Sequence, residues 1–564
     1  MMESADLLTA VVFLPAVGAL LLALFPAGDQ ANLKATTLGV TTVTFLVSVL
    51  LWTGFQYGTP GYQFTADVPW IREFGIGYRI GIDGISLVLI VLTTFLMPLT
   101  VLGAWRAVEK RVKEFCIAML VLESGMLGAF AALDLFLFYV FWEAMLIPMY
   151  FLIGIWGGQR RVYAAVKFFI FTMAGSLLML IAILIVAHGA GHNGGWSFAL
   201  SDGIARVGSS TMGFTLGQQR WLFAAFALAF AIKVPMFPVH TWLPDAHVEA
   251  PTAGSVILAG VLLKLGVYGF IRFAFPLLPA AAMEALPVLG WLAVIGIIYG
   301  ALVAWVQPDM KKLVAYSSVS HLGFCMLGLA AFTSEGINGA VFVMIAHGVS
   351  TGALFLLVGV LYERRHTRVL ADYGGIARKV PIFAFFLVMT AMASAGLPAL
   401  SGFPGEFLVL LGTFTAGSSQ MVWAILAATG VILAAVYLLW MVQKVLFGPL
   451  QNPANESLKD MNLREILVLA PLMVLAVYLG LRPQVILRPV QPAVEKLVQD
   501  VSRGAGKRYS VDPGALRHAE ATPPPSDVGT PTAGLPDRRF RLAAPAPGLK
   551  GNLALPLKPH AEGR

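Results

Sequence analysis

Long apolar runs separated by short polar stretches dominate this chain. A helix needs about 20 mostly apolar residues to cross a bilayer. Fourteen runs qualify, approximately 7–25, 36–54, 85–104, 115–132, 135–156, 164–187, 221–241, 253–275, 286–306, 313–332, 337–361, 381–416, 421–446 and 465–481. The pattern predicts an all-α polytopic membrane protein with about fourteen transmembrane helices. The first run resembles a signal peptide in length, but Glu3 and Asp6 stand where a basic region belongs. We read it as an uncleaved helix with its N-terminus outside the cytoplasm.

Loop charge supports that count. With the N-terminus outside, the cytoplasmic loops hold Lys34, Arg106, Lys110, Arg111, Lys113, Arg160, Arg161, Lys311, Lys312, Arg364, Arg365, Arg368, Arg378, Lys379, Lys444, Lys459 and Arg464. The opposite loops hold Arg72, Arg79, Arg206, Arg220 and Arg272. This asymmetry follows the positive-inside rule, and an error of one helix would invert every later loop. Residues 494–564, rich in Pro, Gly, Ala and charge, cannot bury a core and are expected to be a disordered tail on the outer side.

Two spans are interrupted. Span seven contains Pro235 and Pro238; span twelve contains Gly396, Pro398, Pro404 and Gly405. Proline lacks an N–H and clashes with the carbonyl four residues back. Ala231 and Val234 in the first break, and Ser394 and Leu400 in the second, are therefore expected to lose their helical partners. Free backbone at membrane depth is tolerated only inside protein or beside water. The breaks lie five helices apart, and an odd unit inverts when it repeats. The chain thus divides into residues 1–112 with spans one to three, a bundle over 113–275 (spans four to eight), an inverted bundle over 286–446 (spans nine to thirteen), span fourteen at 465–481 and the tail. Paired interrupted helices in corresponding positions point to an ion-binding region.

Composition agrees with the membrane reading. The 564 residues are 58% hydrophobic and 12% charged, against about 25% charged in a soluble domain. The net charge of +8 reflects topology rather than nucleic-acid binding. Cys116 and Cys325 lie far apart in apolar runs and read as small buried residues, with no spacing that would hold zinc or an iron–sulfur cluster.

Against this background seven ionisable residues stand out mid-span: Glu123, Glu143, Lys233, Lys264, His321, His347 and Glu406. A charge at the bilayer centre costs roughly 2.5–3.5 kcal/mol on insertion scales. Seven at similar depth predict a polar line along the membrane plane that can carry protons. Lys233 sits beside the first break, with Glu143 as its candidate partner. A pair that alternates between close and separated would switch the lysine's proton affinity; a static pair that fixes helix packing is the alternative. Lys264 is too deep to snorkel easily, whereas Lys167 and Arg272 lie near helix ends, where snorkelling accounts for both. His321 and His347 suit a relay because histidine titrates near neutral pH. Glu406 follows the second break. Glu123 is a candidate for coupling to Glu143 or to a neighbouring subunit. Asp134 reads as a cap near the surface. The stretch from His240 to Thr252 reads as a rigid loop, since its His spacing fits no metal site.

At these residues a resemblance becomes specific. Lys233 to Lys264 reads KVPMFPVHTWLPDAHVEAPTAGSVILAGVLLK, Asp134 to Met149 reads DLFLFYVFWEAMLIPM, and Lys311 to His321 reads KKLVAYSSVSH. These stretches resemble the antiporter-like subunits of respiratory complex I (NADH:quinone oxidoreductase), most closely the subunit M branch, the counterpart of mitochondrial chain four. The resemblance covers roughly residues 1–485. It implies the fourteen-helix fold with inverted bundles, proton translocation by Glu143, Lys233, Lys264 and Glu406 with His321 and His347 between them, and packing against sister membrane-arm subunits in a bacterial inner membrane. It also implies that FMN, iron–sulfur clusters and quinone chemistry belong to other subunits, with no cofactor in this chain. The alternative is a subunit of a multi-subunit cation/proton antiporter or a membrane-bound hydrogenase, which share the fold. A membrane scaffold with no ion path is the third reading.

Overall fold

Hydrocarbon offers no hydrogen-bond partner, so each apolar run satisfies its backbone internally as a helix. In the computed structural model, which describes residues 4–191, 195–207 and 214–506, the principal helices are α1 (Ser4–Leu24), α2 (Gln30–Gly54), α3 (Gly84–Gly103), α4 (Val112–Ala131), α5 (Leu135–Trp156), α6 (Arg161–Ala190), α7 (Leu216–Lys233), α8 (Trp242–Glu249), α9 (Thr252–Leu277), α10 (Pro279–Trp305), α11 (Met310–Ala331), α12 (Ser334–Arg365), α13 (Pro381–Ser394), α14 (Gly402–Thr415), α15 (Ser418–Leu446), α16 (Leu463–Leu481) and α17 (Gln484–Gly504). Among the described residues, twelve helices are long and apolar enough to cross a membrane. The expected spans seven and twelve are not among them: span twelve is split into α13 and α14, while span seven keeps its helix only to Lys233 and resumes as α8 beyond its expected end at residue 241.

The helices that carry Lys264, His321 and His347 are the enclosed ones. The apolar stretches of α9 and α12 are wholly enclosed by protein and that of α11 nearly so, while α2 and α6 turn much of their surface outward. Lys264, His321 and His347 therefore meet other helices rather than lipid.

The two breaks share one geometry. After α7, the Val234 N–H donates to the Phe230 carbonyl and the Met236 N–H to the Ala231 carbonyl, both at 2.8 Å. After α13, the Ala395 N–H donates to Ala391 at 2.8 Å and the Leu397 N–H to Met392 at 3.1 Å. Each helix thus ends in one tight bond and one wider turn. The Ala231 carbonyl, expected to be freed by Pro235, keeps a partner one residue further along. The Leu400 carbonyl likewise accepts from Phe403 at 3.3 Å. Gly396 turns the second corner in the left-handed region, at φ +77°, which glycine adopts without a Cβ penalty. Pro235, Pro238 and Pro398 lie in the breaks, but Pro404 lies in the first turn of α14. There its missing N–H would have had no helical partner, so it helps start that helix rather than break one.

Several expectations change. The stretch after His240 is not a loop: residues 242–249 form α8, which extends the interrupted span seven past its expected end. The tail begins later than residue 494, because α17 continues to Gly504; the remainder of the tail lies outside the described residues. Its hydrophobic side, including Val490, Val494, Leu497 and Val501, is buried, so a segment that reads as tail in composition is an amphipathic packing helix. An antiparallel hairpin, β1 (Gln63–Ile71) and β2 (Ile76–Ile82), fills the connection between α2 and α3, with Val68 opposite Tyr78. Asp134 caps α5 as expected, accepting from the Phe136 and Leu137 N–H groups, but it is fully buried rather than near the surface. It also accepts from Gly77 and pairs with Arg79 at 2.6 Å.

Candidate functional site

Each of the seven mid-span residues lies on its own helix: Glu123 on α4, Glu143 on α5, Lys233 on α7, Lys264 on α9, His321 on α11, His347 on α12 and Glu406 on α14. Six of them are 4% exposed or less; Glu143 is half-buried.

Four of the seven form a chain of contacts. Lys264 Nζ lies 2.7 Å from His347 Nδ1. The His347 and His321 rings stand 5.9 Å apart, centre to centre. His321 Nδ1 lies 2.9 Å from Glu406 Oε1, and its Nε2 meets the Tyr437 hydroxyl at 3.2 Å and the Ser394 hydroxyl at 3.5 Å. A cavity of about 10 Å³ lies among His321, His347, Ser350, Ser394 and Glu406, close to the space one water molecule needs.

The chemistry of this chain follows from its donors and acceptors. An ammonium has only donors, so a protonated Lys264 gives a hydrogen bond to His347 Nδ1, which leaves the ring proton on Nε2. If Tyr437 donates to His321 Nε2, the Nδ1–H of His321 points at the Glu406 carboxylate. Each imidazole then has one nitrogen that accepts and one that carries a proton, though His347 Nε2 meets no hydrogen-bond partner and faces His321 only across the gap between the rings.

Local backbone irregularity positions the lysine. A π-helical turn, Leu258–Leu262, precedes Lys264. Within it the Leu263 N–H bonds to Leu258 rather than to Ala259. The Ala259 carbonyl then receives the Lys264 ammonium. Such insertions inside α-helices occur often at functional sites. A second π-turn, Phe270–Ala274, carries Arg272. Sequence reading left Arg272 to snorkelling. Instead it is 7% exposed and pairs with Asp83 at 2.6 Å, while also bonding the hydroxyls of Tyr268, Tyr62 and Ser86. Lys167 likewise pairs with Asp245 at 2.7 Å.

The Lys233–Glu143 pair is not closed. No ion pair joins them among the described residues; Lys233 Nζ lies over the Trp142 ring, 5.0 Å from its centre. Ser394, the last residue of α13, occupies the place that Lys233 holds at the end of α7, so Glu406 lies beyond its break rather than at the corresponding point. A third interruption, unread in the sequence, falls beside Glu143. α5 loses its regular ladder at Met145, where Pro148 removes the N–H that would meet the Ala144 carbonyl. Glu123 is fully buried with no hydrogen bond to either oxygen, so it meets neither Glu143 nor any other candidate directly.

Sequence reasoning missed two members of this neighbourhood. His247, on α8, is fully buried, stacks on Phe355 at 4.6 Å and bonds through neither ring nitrogen. Tyr437 on α15 carries no signal at all, being one aromatic in an apolar run.

A family model described as the membrane domain of NADH:quinone oxidoreductase and Mrp antiporter subunits matches residues 132–434. This chain belongs to that family. The matched segment runs from the Asp134 cap through both breaks to Ala434, and so includes every residue of the contact chain apart from its Tyr437 partner. Within the family, the chain is 47% identical over 527 residues to NADH-quinone oxidoreductase subunit M of Rhodobacter capsulatus, covering 92% of this chain and 99% of that one. It also aligns with a chain of respiratory complex I from Thermus thermophilus with TM-score 0.78 and 36% identity, covering 88% of this chain and 99% of the other. A chain of the Mrp complex from a Dietzia species shares the fold at TM-score 0.76 and 22% identity, covering 89% of this chain and 100% of that one.

Proposed function

We propose that this chain is the proton-translocating subunit M of a bacterial NADH:quinone oxidoreductase, lying in the inner membrane beside sister antiporter-like subunits and lipid. Electron transfer in other subunits, which carry the flavin, iron–sulfur clusters and quinone site, drives protons through its mid-membrane residues. The observation that carries this reading is the contact chain Lys264–His347–His321–Glu406, enclosed by protein. The relatives' names favour the oxidoreductase over the cation/proton antiporter, whose likeness is one of fold at 22% identity.

We count α7 with α8 and α13 with α14 as one crossing each, which makes fourteen, and we read the N-terminus and α17 as periplasmic and the basic loops as cytoplasmic. The matching breaks after α7 and α13 support two inverted five-span bundles, over 113–275 and 286–446. Lys264, His347, His321 and Glu406 form the conducting half. Glu143 and Lys233 form the coupling half, open in this state, with the Trp142 ring holding the lysine. Glu123 is assigned a coupling role.

Glu143→Ala and Lys233→Ala, measured in the assembled complex for NADH-driven proton uptake into inverted vesicles, test the reading. Loss of uptake with assembly retained supports it. Normal uptake by both variants returns the chain to a scaffold role.

A further inference from the structure

We propose that Lys311 is the station through which protons enter this chain on their way to Lys264. The inference rests on the proton-translocating reading above and adds a residue to it.

Lys311 counts as a loop charge in the sequence. In the structure it lies in the first turn of α11 and is 5% exposed. Its ammonium donates to the carbonyls of Val248 and Ala250, at the C-terminal end of α8. Helix ends leave carbonyls unpartnered and carry partial negative charge, so a cation there is favourable. A cation is already present, however. Arg368 Nη1 donates to the same Val248 carbonyl at 2.7 Å and is held by Asp309 at 3.2 Å.

The surroundings of Lys311 differ from those of a static pair. Among the described residues no carboxylate lies within ion-pair distance of its nitrogen. Asp309 spends its other oxygen on the N–H groups of Lys311 and Lys312, as the cap of α11. Glu249 turns away to accept from the Arg160 N–H at 2.9 Å. Lys311 is thus a buried amine held by carbonyls alone, and it can give up its proton without breaking an ion pair. Arginine, always charged, cannot do this.

Its position connects outside to inside. A cavity of about 1250 Å³ opens on the face of the basic loops, lined by charged groups that include Arg106, Lys110, Glu363 and Arg464. It reaches Pro251 and Thr252, next in the chain to the Ala250 carbonyl that Lys311 holds. On the inner side, His247 directly precedes Val248, with both ring nitrogens unbonded, and lies within electrostatic reach of Lys311 and Lys264 alike. The step is a plain proton transfer. A hydronium ion in the cavity protonates the Lys311 amine and leaves water. The ammonium then protonates one His247 nitrogen, and the imidazolium releases its other N–H proton toward Lys264.

Three variants in the full complex test this, each scored as NADH-driven proton uptake into inverted vesicles per unit of assembled complex. Lys311→Arg keeps the cation and the cap but cannot release its proton. Lys311→Gln keeps N–H donors to the carbonyls without charge. Lys311→His weakens the cap but can carry a proton. The entry role predicts uptake lowered about 10²-fold in the Arg and Gln variants, the scale for losing a proton-transferring side chain, with the His variant retaining more than either. Uptake at the parent level in Lys311→Arg, or a ranking with Arg above His, makes Lys311 a cap and overturns the proposal. Lys264→Ala run in parallel separates the two claims. If it also pumps normally, the proton-translocating reading fails with the proposal; if it does not, only the role of Lys311 falls.

Discussion

His321 Nδ1 lies 2.9 Å from Glu406 Oε1, across two helices whose contact residues are 85 positions apart in the chain. The bond joins α11 to α14, the half-helix that follows the second break. With Lys264 and His347 bonded at 2.7 Å on the other side, the contact chain has a lysine at one end and a carboxylate at the other.

Glu406→Gln keeps the size and one acceptor oxygen but removes the charge and the proton. The expected outcome is assembled complex at the parent level with NADH-driven pumping reduced about 10²-fold. Glu406→Asp, which keeps the carboxyl, should retain more activity than Gln. Vesicle acidification assays on both, normalised to the amount of complex on a native gel, check this ranking.

Asp83→Asn should act on stability rather than on transport. Arg272 would stay buried with its charge unpaired, and breaking one side of a buried pair costs about 3–5 kcal/mol. The hydroxyls of Tyr268, Tyr62 and Ser86 offset only part of that loss. We expect a lower yield of assembled complex and earlier thermal dissociation, read by native gel after a temperature ramp. Asp83→Glu, which preserves the charge, should fall between the two.

Gly266→Ala tests how α9 approaches the first break. A Cβ at that position would sit 2.6 Å from the Phe230 carbonyl oxygen and 2.7 Å from the Val234 nitrogen, both backbone atoms that cannot swing aside. The helix would have to move away from the end of α7, which carries Lys233. Overpacking of this kind costs about 1–3 kcal/mol. The expected result is partial assembly, with reduced pumping per assembled complex. Gly296→Ala, where nothing lies within 4 Å, serves as the neutral control.

Much of this site could be read from residues alone because hydrocarbon makes polarity conspicuous. Lys264 in an apolar run and the proline pairs of span seven each break a rule that lipid enforces, and each marks a place the fold uses. What stayed hidden are relations between helices. Nothing in the sequence says that Lys264 faces His347 rather than Glu406, or that Tyr437 completes the His321 environment. Lys311 was assigned to a loop because loop and first helical turn share the same charge signature. Its burial arises only when α8 docks against α11. Glu143 and Lys233 were paired by depth, but depth does not specify the side of a helix, and the Trp142 ring lies where the pair was expected. Residues 494–504 of α17 read as tail because the Pro-, Gly- and charge-rich composition that follows them hides the amphipathic spacing of the helix.

The central claim is most directly tested by NADH-driven proton uptake in inverted vesicles carrying the complex with Lys264→Met. Methionine fills similar space, suits the enclosed helix and cannot bind a proton. The account predicts full assembly with uptake lost. Full assembly with uptake at the parent level would contradict it, because the proton would then be crossing without the residue on which the contact chain begins.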